Sequence, residues 1–252
     1  MMDTQYKTPE KLDVRRALHA KYSVNPQGFD KWLHTFYGIA PGFRVLELGC
    51  GTGEGWLAQA SELPRDAAIT LTDLSPGMVE RARKTLGAFP QFAFQTADIQ
   101  SIPFEDDSFD RVLAHMMLYH VPDLPRTLME VRRVLKPEGR FLCATYGEHT
   151  VLEVLRPLLP ELHAMERFNR RFTLQNGAAT LGAVFSKVER CDYEDALEIT
   201  EVEDLLDYLY SLPSQEGLSP ELRPVFARRL RERQENGVLR IPKEYGLFIC
   251  QG

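Results

Sequence analysis

Three glycines at alternate positions, Gly49, Gly51 and Gly53, follow the β-prone run Val45-Leu46-Glu47-Leu48. Glycine reaches positive φ without a Cβ penalty and lets backbone come close to a ligand, so this turn can wrap a small molecule at a helix start. The spacing is not that of the dinucleotide fingerprint, because a GxGxxG match begun at Gly49 or Gly51 fails at Glu54 and Trp56. A pyrophosphate is therefore the less favoured guest. Asp73 ends the next β-prone run, where an acidic side chain can accept hydrogen bonds from both hydroxyls of a ribose. Asp98, in Ala97-Asp98-Ile99, can accept from an exocyclic amine with Ile99 against the base. His115, His120, Tyr119 and the N-terminal Tyr22 are the candidate proton acceptors, and no HxH, Ser/His/Asp or metal pattern selects among them. Cys50, Cys143, Cys191 and Cys250 are far apart and form no CxxC, which suggests neither a disulfide framework nor a zinc site.

Strands and helices in alternation must position these residues. Asn25-Pro26 reads as a helix cap and first-turn proline ahead of Phe29, Trp32, Leu33 and Phe36 at helical spacing, with the helix ending near Gly38. Arg44 to Leu48 reads as a first strand, and Trp56, Leu57 and Ala60 mark a helix that ends before Pro64. The unit repeats as a strand Ala68 to Thr72, a helix started by Ser75-Pro76 with Met78, Val79, Ala82 and Leu86 on one face, and a third strand Phe92 to Thr96. Phe109 to Ala114 is a fourth strand, followed by a helix through Leu128, Val131 and Leu135 that stops at Pro137 and Gly139, and by a fifth strand Arg140 to Thr145. Such alternation predicts an α/β fold with right-handed crossovers and a Rossmann-like, open, mainly parallel seven-stranded sheet covered by helices on both faces.

Beyond Gly147 the rhythm changes. Residues 150 to 182 read as helical with breaks at Pro157, Pro160 and Gly177, and Lys187 to Ile199 as a strand. Val202, Leu205, Leu206 and Leu209 give one amphipathic helix, and Leu222, Val225, Phe226 and Leu230 another. Tyr245 to Cys250 is the last strand. The two helices form an insertion of about residues 201 to 237 before it. The Arg-rich stretch at 223 to 233 reads as a solvated helix face. No linker divides the 252 residues, so a single domain is expected: an N-terminal helical cap to residue 40, a ligand-binding core over 41–147 and a substrate-side half over 148–252.

The net charge of −6 and pI near 5.6 oppose a polyanion as main partner. No signal-like start and no apolar run of membrane-spanning length is visible. A cytoplasmic protein without nucleic-acid or membrane partners is expected, and a homodimer is compatible with the sequence.

VLELGCGTG at 45–53, LTDLSPGMVERAR at 71–83, ADIQSIPFEDDSFD at 97–110 and LYHVPDLPRTLMEVRRVLKPEGRF at 118–141 together resemble the type 11 family of class I methyltransferases, in order and spacing. The resemblance covers about residues 40 to 146. It implies that S-adenosylmethionine (SAM) is bound and S-adenosylhomocysteine (SAH) released. It further implies that Glu47, Gly49, Cys50, Gly51 and Gly53 hold the methionine portion, Asp73 the ribose, and Asp98 with Ile99 the adenine. Leu74 and Met78 would flank the adenine and ribose, and His115 or Met116 would lie beneath the sulfonium. Glu138-Gly139 stands where the family more often has Gly-Gly, a change confined to a surface turn.

The resemblance implies an enzyme that moves a methyl group to an O, N, S or C nucleophile of a small molecule by in-line displacement; the alternative is a SAM-binding regulatory or interaction protein without transferase activity. His115, His120 and Tyr22 are the catalytic candidates should the acceptor have to lose a proton, and no metal is implied. Amino-methylating nucleic-acid enzymes of this fold follow the fourth strand with Asn or Asp, two prolines and an aromatic residue, where this chain has His115-Met116-Met117-Leu118. The segment Tyr22 to Trp32 and the inserted helices are expected to roof an acceptor pocket.

Overall fold

The computed structural model describes residues 9–163 and 170–252. They pack as two compact units: a sheet unit of residues 29–145, 171–193 and 246–252, and a helical unit of residues 9–28, 146–163, 170 and 194–245. Among the described residues one sheet has seven strands, β1 (Arg44–Leu48), β2 (Ala68–Asp73), β3 (Phe92–Thr96), β4 (Phe109–His115), β5 (Leu135–Tyr146), β6 (Lys187–Ile199) and β7 (Leu239–Gln251). Their order is β3-β2-β1-β4-β5-β7-β6. The pairs β1–β2, β1–β4, β2–β3 and β4–β5 are parallel, as strands alternating with crossover helices must be. The expected open, mainly parallel sheet is the one found.

This order reverses direction at β1. The chain steps outward through β2 and β3 and then returns to lay β4 on the other flank of β1, so the connections leaving β1 and β4 diverge. That switch point is where open α/β sheets bind ligands. Register brings the candidate residues to the same strand ends: Glu47 pairs with Leu71 on one side and Leu113 on the other, and Asp73 with Thr96. Val45, Leu46, Ile69, Leu71, Leu113 and Leu142 are fully or almost fully buried, which accounts for the continuous apolar runs of the inner strands.

In the sheet unit, α2 (Phe29–Tyr37) buries Leu33 and Tyr37. Its last carbonyls are received by a buried guanidinium: Arg111 on β4 donates from Nε to the Tyr37 carbonyl at 2.8 Å and from Nη2 to the Gly38 carbonyl at 3.4 Å. Ser75 caps α3 (Pro76–Leu86) and Asp123 caps α4 (Leu124–Val134), each with proline in the first turn. The short α6 (Gly177–Leu181) completes the unit.

The helical unit comprises α1 (Pro9–Tyr22), α5 (Val151–Leu155), α7 (Val202–Ser211) and α8 (Arg223–Arg231), with residues 194–199 of β6 and 239–245 of β7. It has its own core, which includes Leu18, Leu155, Leu205, Leu209, Phe226 and Leu230. The expected insertion is thus α7 and α8, and the Arg-rich face is laced with ion pairs from Arg223 and Arg231 to Glu203 and from Arg229 to Glu161. No helix among the described residues is long and apolar enough to cross a membrane.

Several expectations fail locally. Asn25-Pro26 is a turn and not a helix cap: the Asn25 side chain accepts from the Gln27 amide at 3.0 Å, Gly28 takes φ 75°, and the helix starts only at Phe29. The α1 helix lies within the expected N-terminal helical cap, but no start or end could be read for it, because its sequence is polar nearly all round and shows no apolar stripe. The segment to residue 40 is consequently divided, α1 lying in the helical unit and α2 in the sheet unit. The helix expected through Trp56 to Ala60 is a 3-10 turn, Glu54–Trp56, followed by further turns; Gly53 and Gly55 weaken a helix start, and Trp56 is drawn inward. Leu135 leaves the helix and pairs with Phe109 in β5, since Pro137 cannot extend a helix. Among the described residues of 150–182, α-helices form only at α5 and α6; residues 164–169 lie outside the described residues. Gly177 starts a helix instead of breaking one.

Candidate functional site

The glycine turn leaves β1 with three left-handed residues, Gly49 at φ 72°, Gly51 at φ 56° and Gly53 at φ 71°. Their surroundings differ. A Cβ on Gly49 would meet the Met117 side chain at 2.9 Å, and one on Gly53 would meet Leu86 of α3 at 3.0 Å, so these two are glycines for packing. A Cβ on Gly51 would meet nothing within 4 Å. Gly51 is thus the open face of the turn.

Two carboxylates bracket it. Glu47 is buried at the end of β1, and its Oε2 accepts from Trp56 Nε1 at 2.5 Å. Burial raises its pKa from 4.5 to about 7 against the lowering effect of that hydrogen bond, and the carboxylates of Asp30 and Asp73 add to the rise. Asp73 is half-buried at the end of β2, accepting from the Gly51 amide at 3.0 Å and the Ser75 amide at 2.9 Å. Burial raises its pKa too, opposed by those backbone donors. The turn and the β2 end are therefore one hydrogen-bonded piece that carries a carboxylate at each side.

Asp98 is exposed past the end of β3, where its Oδ1 accepts from the Gln100 amide at 2.9 Å. The loop it opens is clamped by α4: Glu130 accepts from the Ile102 amide at 2.9 Å, and Arg133 donates to the carbonyls of Ile102 and Phe104 and to Asp106. Ile99 is half-buried in that loop, Leu74 is exposed, and Met78 is buried on α3. Cys50 donates its amide to the Thr72 carbonyl, and burial, with Glu47 and Asp73, holds its thiol protonated.

At the β4 end, Met116 takes φ 53°, a backbone state costly for a residue with a side chain, and donates its amide to the Ala144 carbonyl. His115 stacks on Tyr37 with ring centres 5.5 Å apart and planes 5° off parallel, its Nε2 lying 2.9 Å from the Tyr37 hydroxyl. Burial, then the nearby His34, lowers its pKa to about 3. Its Nδ1 is buried with no hydrogen-bond partner. If Tyr37 donates to Nε2, one buried group is left unpaired; the reverse arrangement leaves two, so the Nδ1–H tautomer is favoured. An imidazole in that state is a weak base whose lone pair is occupied. His120 closes a 3-10 turn, Leu118–His120, beside the Tyr119 ring at 4.5 Å. Tyr22 belongs to the helical unit, where its hydroxyl donates to Asp204 at 2.6 Å.

Trp56, Tyr37, His34 and Asp30 are the neighbours that sequence reasoning missed. His34 donates from Nε2 to the Gly55 carbonyl at 3.1 Å, so α2 is fastened to the glycine turn. The i, i+3 spacing of His34 and Tyr37 on α2 was the available signal, and the apolar pattern Phe29, Trp32, Leu33 and Phe36 passes over both.

Residues 46–143 match the family model described as "Methyltransferase domain". A malonyl-[acyl-carrier protein] O-methyltransferase from Geobacter sulfurreducens is 35% identical over 204 residues, covering 75% of each chain. A demethylmenaquinone methyltransferase from Symbiobacterium thermophilum is 36% identical over 121 residues, 46% of this chain and 48% of the relative, so the chain spans about half of that protein. Among solved structures, phosphoethanolamine N-methyltransferase 2 of Haemonchus contortus in complex with S-adenosyl-L-methionine superposes with a TM-score of 0.61 at 19% identity, over 98% of this chain and 58% of that one. At that identity the likeness concerns the fold.

Proposed function

The chain belongs to the class I SAM-dependent methyltransferases, and from that premise we propose that it moves the methyl group of SAM to a nucleophilic atom of a small-molecule acceptor. The observation that carries this reading is the open Gly51 face set between the Glu47 and Asp73 carboxylates. A ligand bearing an ammonium, a sulfonium and vicinal hydroxyls suits that face: the acids complement its positive charge and Asp73 retains lone pairs for hydroxyls. When bound there, SAM supplies an activated methyl carbon with a thioether as its leaving group.

The protein's own work is binding, orientation and drying of the site. Glu47 faces the ammonium, Asp73 the ribose, and Asp98 with Ile99 the adenine, while Leu74 and Met78 flank the nucleoside. Buried Trp56 and Tyr37, with half-buried His115, keep water from the strand ends and Met116 holds the floor of the site in one strained conformation, which favours a near-attack geometry. His115 acts as a fixed N–H donor and not as the general base. The net charge of −6 and the absence of the nucleic-acid pattern after β4 support a small acceptor over a polyanion. Four free thiols support a reducing, cytoplasmic setting.

Methyl-labelled SAM added to the chain with the small-molecule and the macromolecular fractions of a cell extract tests this. The expected result is SAH release with label in the small-molecule fraction. Label in macromolecules would remove the acceptor class, and SAM bound without SAH release from any fraction would leave a binding protein only.

A further inference from the structure

Helices α1 and α7 pack on each other, and most of what they bury is aliphatic: Leu18, Leu205, Leu206 and Leu209. One patch of the helical unit is not. Arg15 and His19 stand four residues apart on α1, on one face and one turn from each other. The His19 ring meets Tyr208 of α7 edge-on at 5.7 Å and Tyr245 of β7 at 6.0 Å, and the Tyr245 hydroxyl is 3.5 Å from His19 Nε2. All four side chains are half-buried.

The charges do not cancel. Lys243, 4.7 Å from the centre of the Tyr245 ring, is ion-paired with Asp195, which also accepts from the Ser23 hydroxyl and the amides of Val24, Asn25 and Ala196. That pair is neutral overall. Burial, then Lys243, lowers the His19 pKa to about 4, so its imidazole is uncharged at neutral pH. Burial raises Tyr208 to about 12 and Tyr245 further, so both phenols keep their protons. Arg15 has no carboxylate at ion-pair distance among the described residues. The patch therefore carries one uncompensated positive charge.

Two of its nitrogens, Arg15 Nε and His19 Nδ1, are shielded from solvent and have no hydrogen-bond partner. Unpaired buried donors are costly, and a contact that only had to close α1 on α7 would be served by more of the leucines around it. An anion with two acceptor oxygens would complete both donors and the charge at once.

We propose that Arg15, His19, Tyr208 and Tyr245 form a site within the helical unit that binds the carboxylate of an organic acid. Arg15 supplies the charge and one N–H, and His19 supplies the second from Nδ1 while Nε2 faces the Tyr245 hydroxyl. The three rings and Leu18 suit an acid with an apolar or aromatic body.

The test is NMR titration of the chain, with SAH present, by benzoate, octanoate and malonate, and by benzamide, octanol and inorganic phosphate as contrasts. The His19 ring signal is assigned by difference from His19→Gln. At least one carboxylate should shift that signal saturably at millimolar concentration or below, with the neutral analogues inert. Arg15→Gln should weaken that binding tenfold or more, and Tyr208→Phe severalfold. No shift with any carboxylate, a response to phosphate alone, or unchanged affinity in Arg15→Gln would overturn the site. Failure of SAH itself to bind the unaltered chain would instead remove the methyltransferase reading, and the carboxylate titration would still report on the patch.

Discussion

Asp73 illustrates how one side chain serves the fold and the ligand together. It accepts from the Gly51 and Ser75 amides and still has lone pairs to spare, so Asp73→Ala should weaken SAH binding by roughly 1.5 to 3 kcal/mol, read by titration calorimetry, with the chain still folded. Unchanged affinity would reduce Asp73 to a brace of the turn. Glu47 makes a second prediction through its pKa. Because the folded value, about 7, lies above the ordinary 4.5, the unfolded chain gives up this proton first as pH rises. The stability Glu47 confers is therefore complete below pH 4.5 and lost as pH rises through 7, a difference on the order of 3 kcal/mol. Glu47→Gln, which keeps an acceptor for Trp56, should melt higher than the parent at pH 8 and level with it near pH 4.5, and should bind SAH less well. A melting difference independent of pH would contradict the raised pKa. At this scale the sequence disclosed residue types and places but not states. Nothing near Glu47 in the chain announces Trp56 as its donor, and the neutral condition of His115 comes from burial and then from His34 on a separate helix, whose Tyr37 hydroxyl meets its Nε2.

The glycine turn is the element on which the account rests, and its three glycines separate by what surrounds them. Gly49→Ala and Gly53→Ala must displace Met117 or α3, whereas Gly51→Ala meets no atom and bears only the strain of a left-handed alanine, about 1 to 2 kcal/mol. Thermal melting should accordingly rank Gly51→Ala as the mildest of the three, while its SAH affinity falls at least tenfold because the new methyl stands on the ligand's face. Retained affinity in Gly51→Ala would place the ligand elsewhere. A related prediction concerns α4: Arg133→Ala should raise hydrogen exchange across residues 99–106, the loop that Arg133 and Glu130 hold, without altering exchange in β1. Elements with a clear period or a cap were legible in the sequence, as with β3, β6, α3 and α7. Those decided by packing were not: polar α1 is helical against α7, and the glycines that open the turn also prevent the helix expected behind it.

For the whole molecule, the recurrence of short strands between helical and turn segments over residues 44–146 made an open, mainly parallel sheet legible, because crossovers between parallel strands keep one hand, while the strand order itself came only from the structure. The division into a sheet unit and a helical unit was not legible, since no linker marks it and β6 and β7 each run through both. The family's motifs fall in the sheet unit, while the uncompensated Arg15 patch falls in the helical one. The central claim, that the sheet unit binds SAM and its product at the glycine turn, has a direct test in the thermal unfolding of the intact chain with SAH. A ligand that binds only the folded state with micromolar affinity adds about 2.7 kcal/mol at a hundredfold excess over its Kd, which for a chain of this size raises Tm by roughly 5 to 10 °C. The account predicts that rise in the unaltered chain and its loss in Asp73→Ala at the same SAH concentration. An unaltered chain whose Tm does not move at that excess would contradict it.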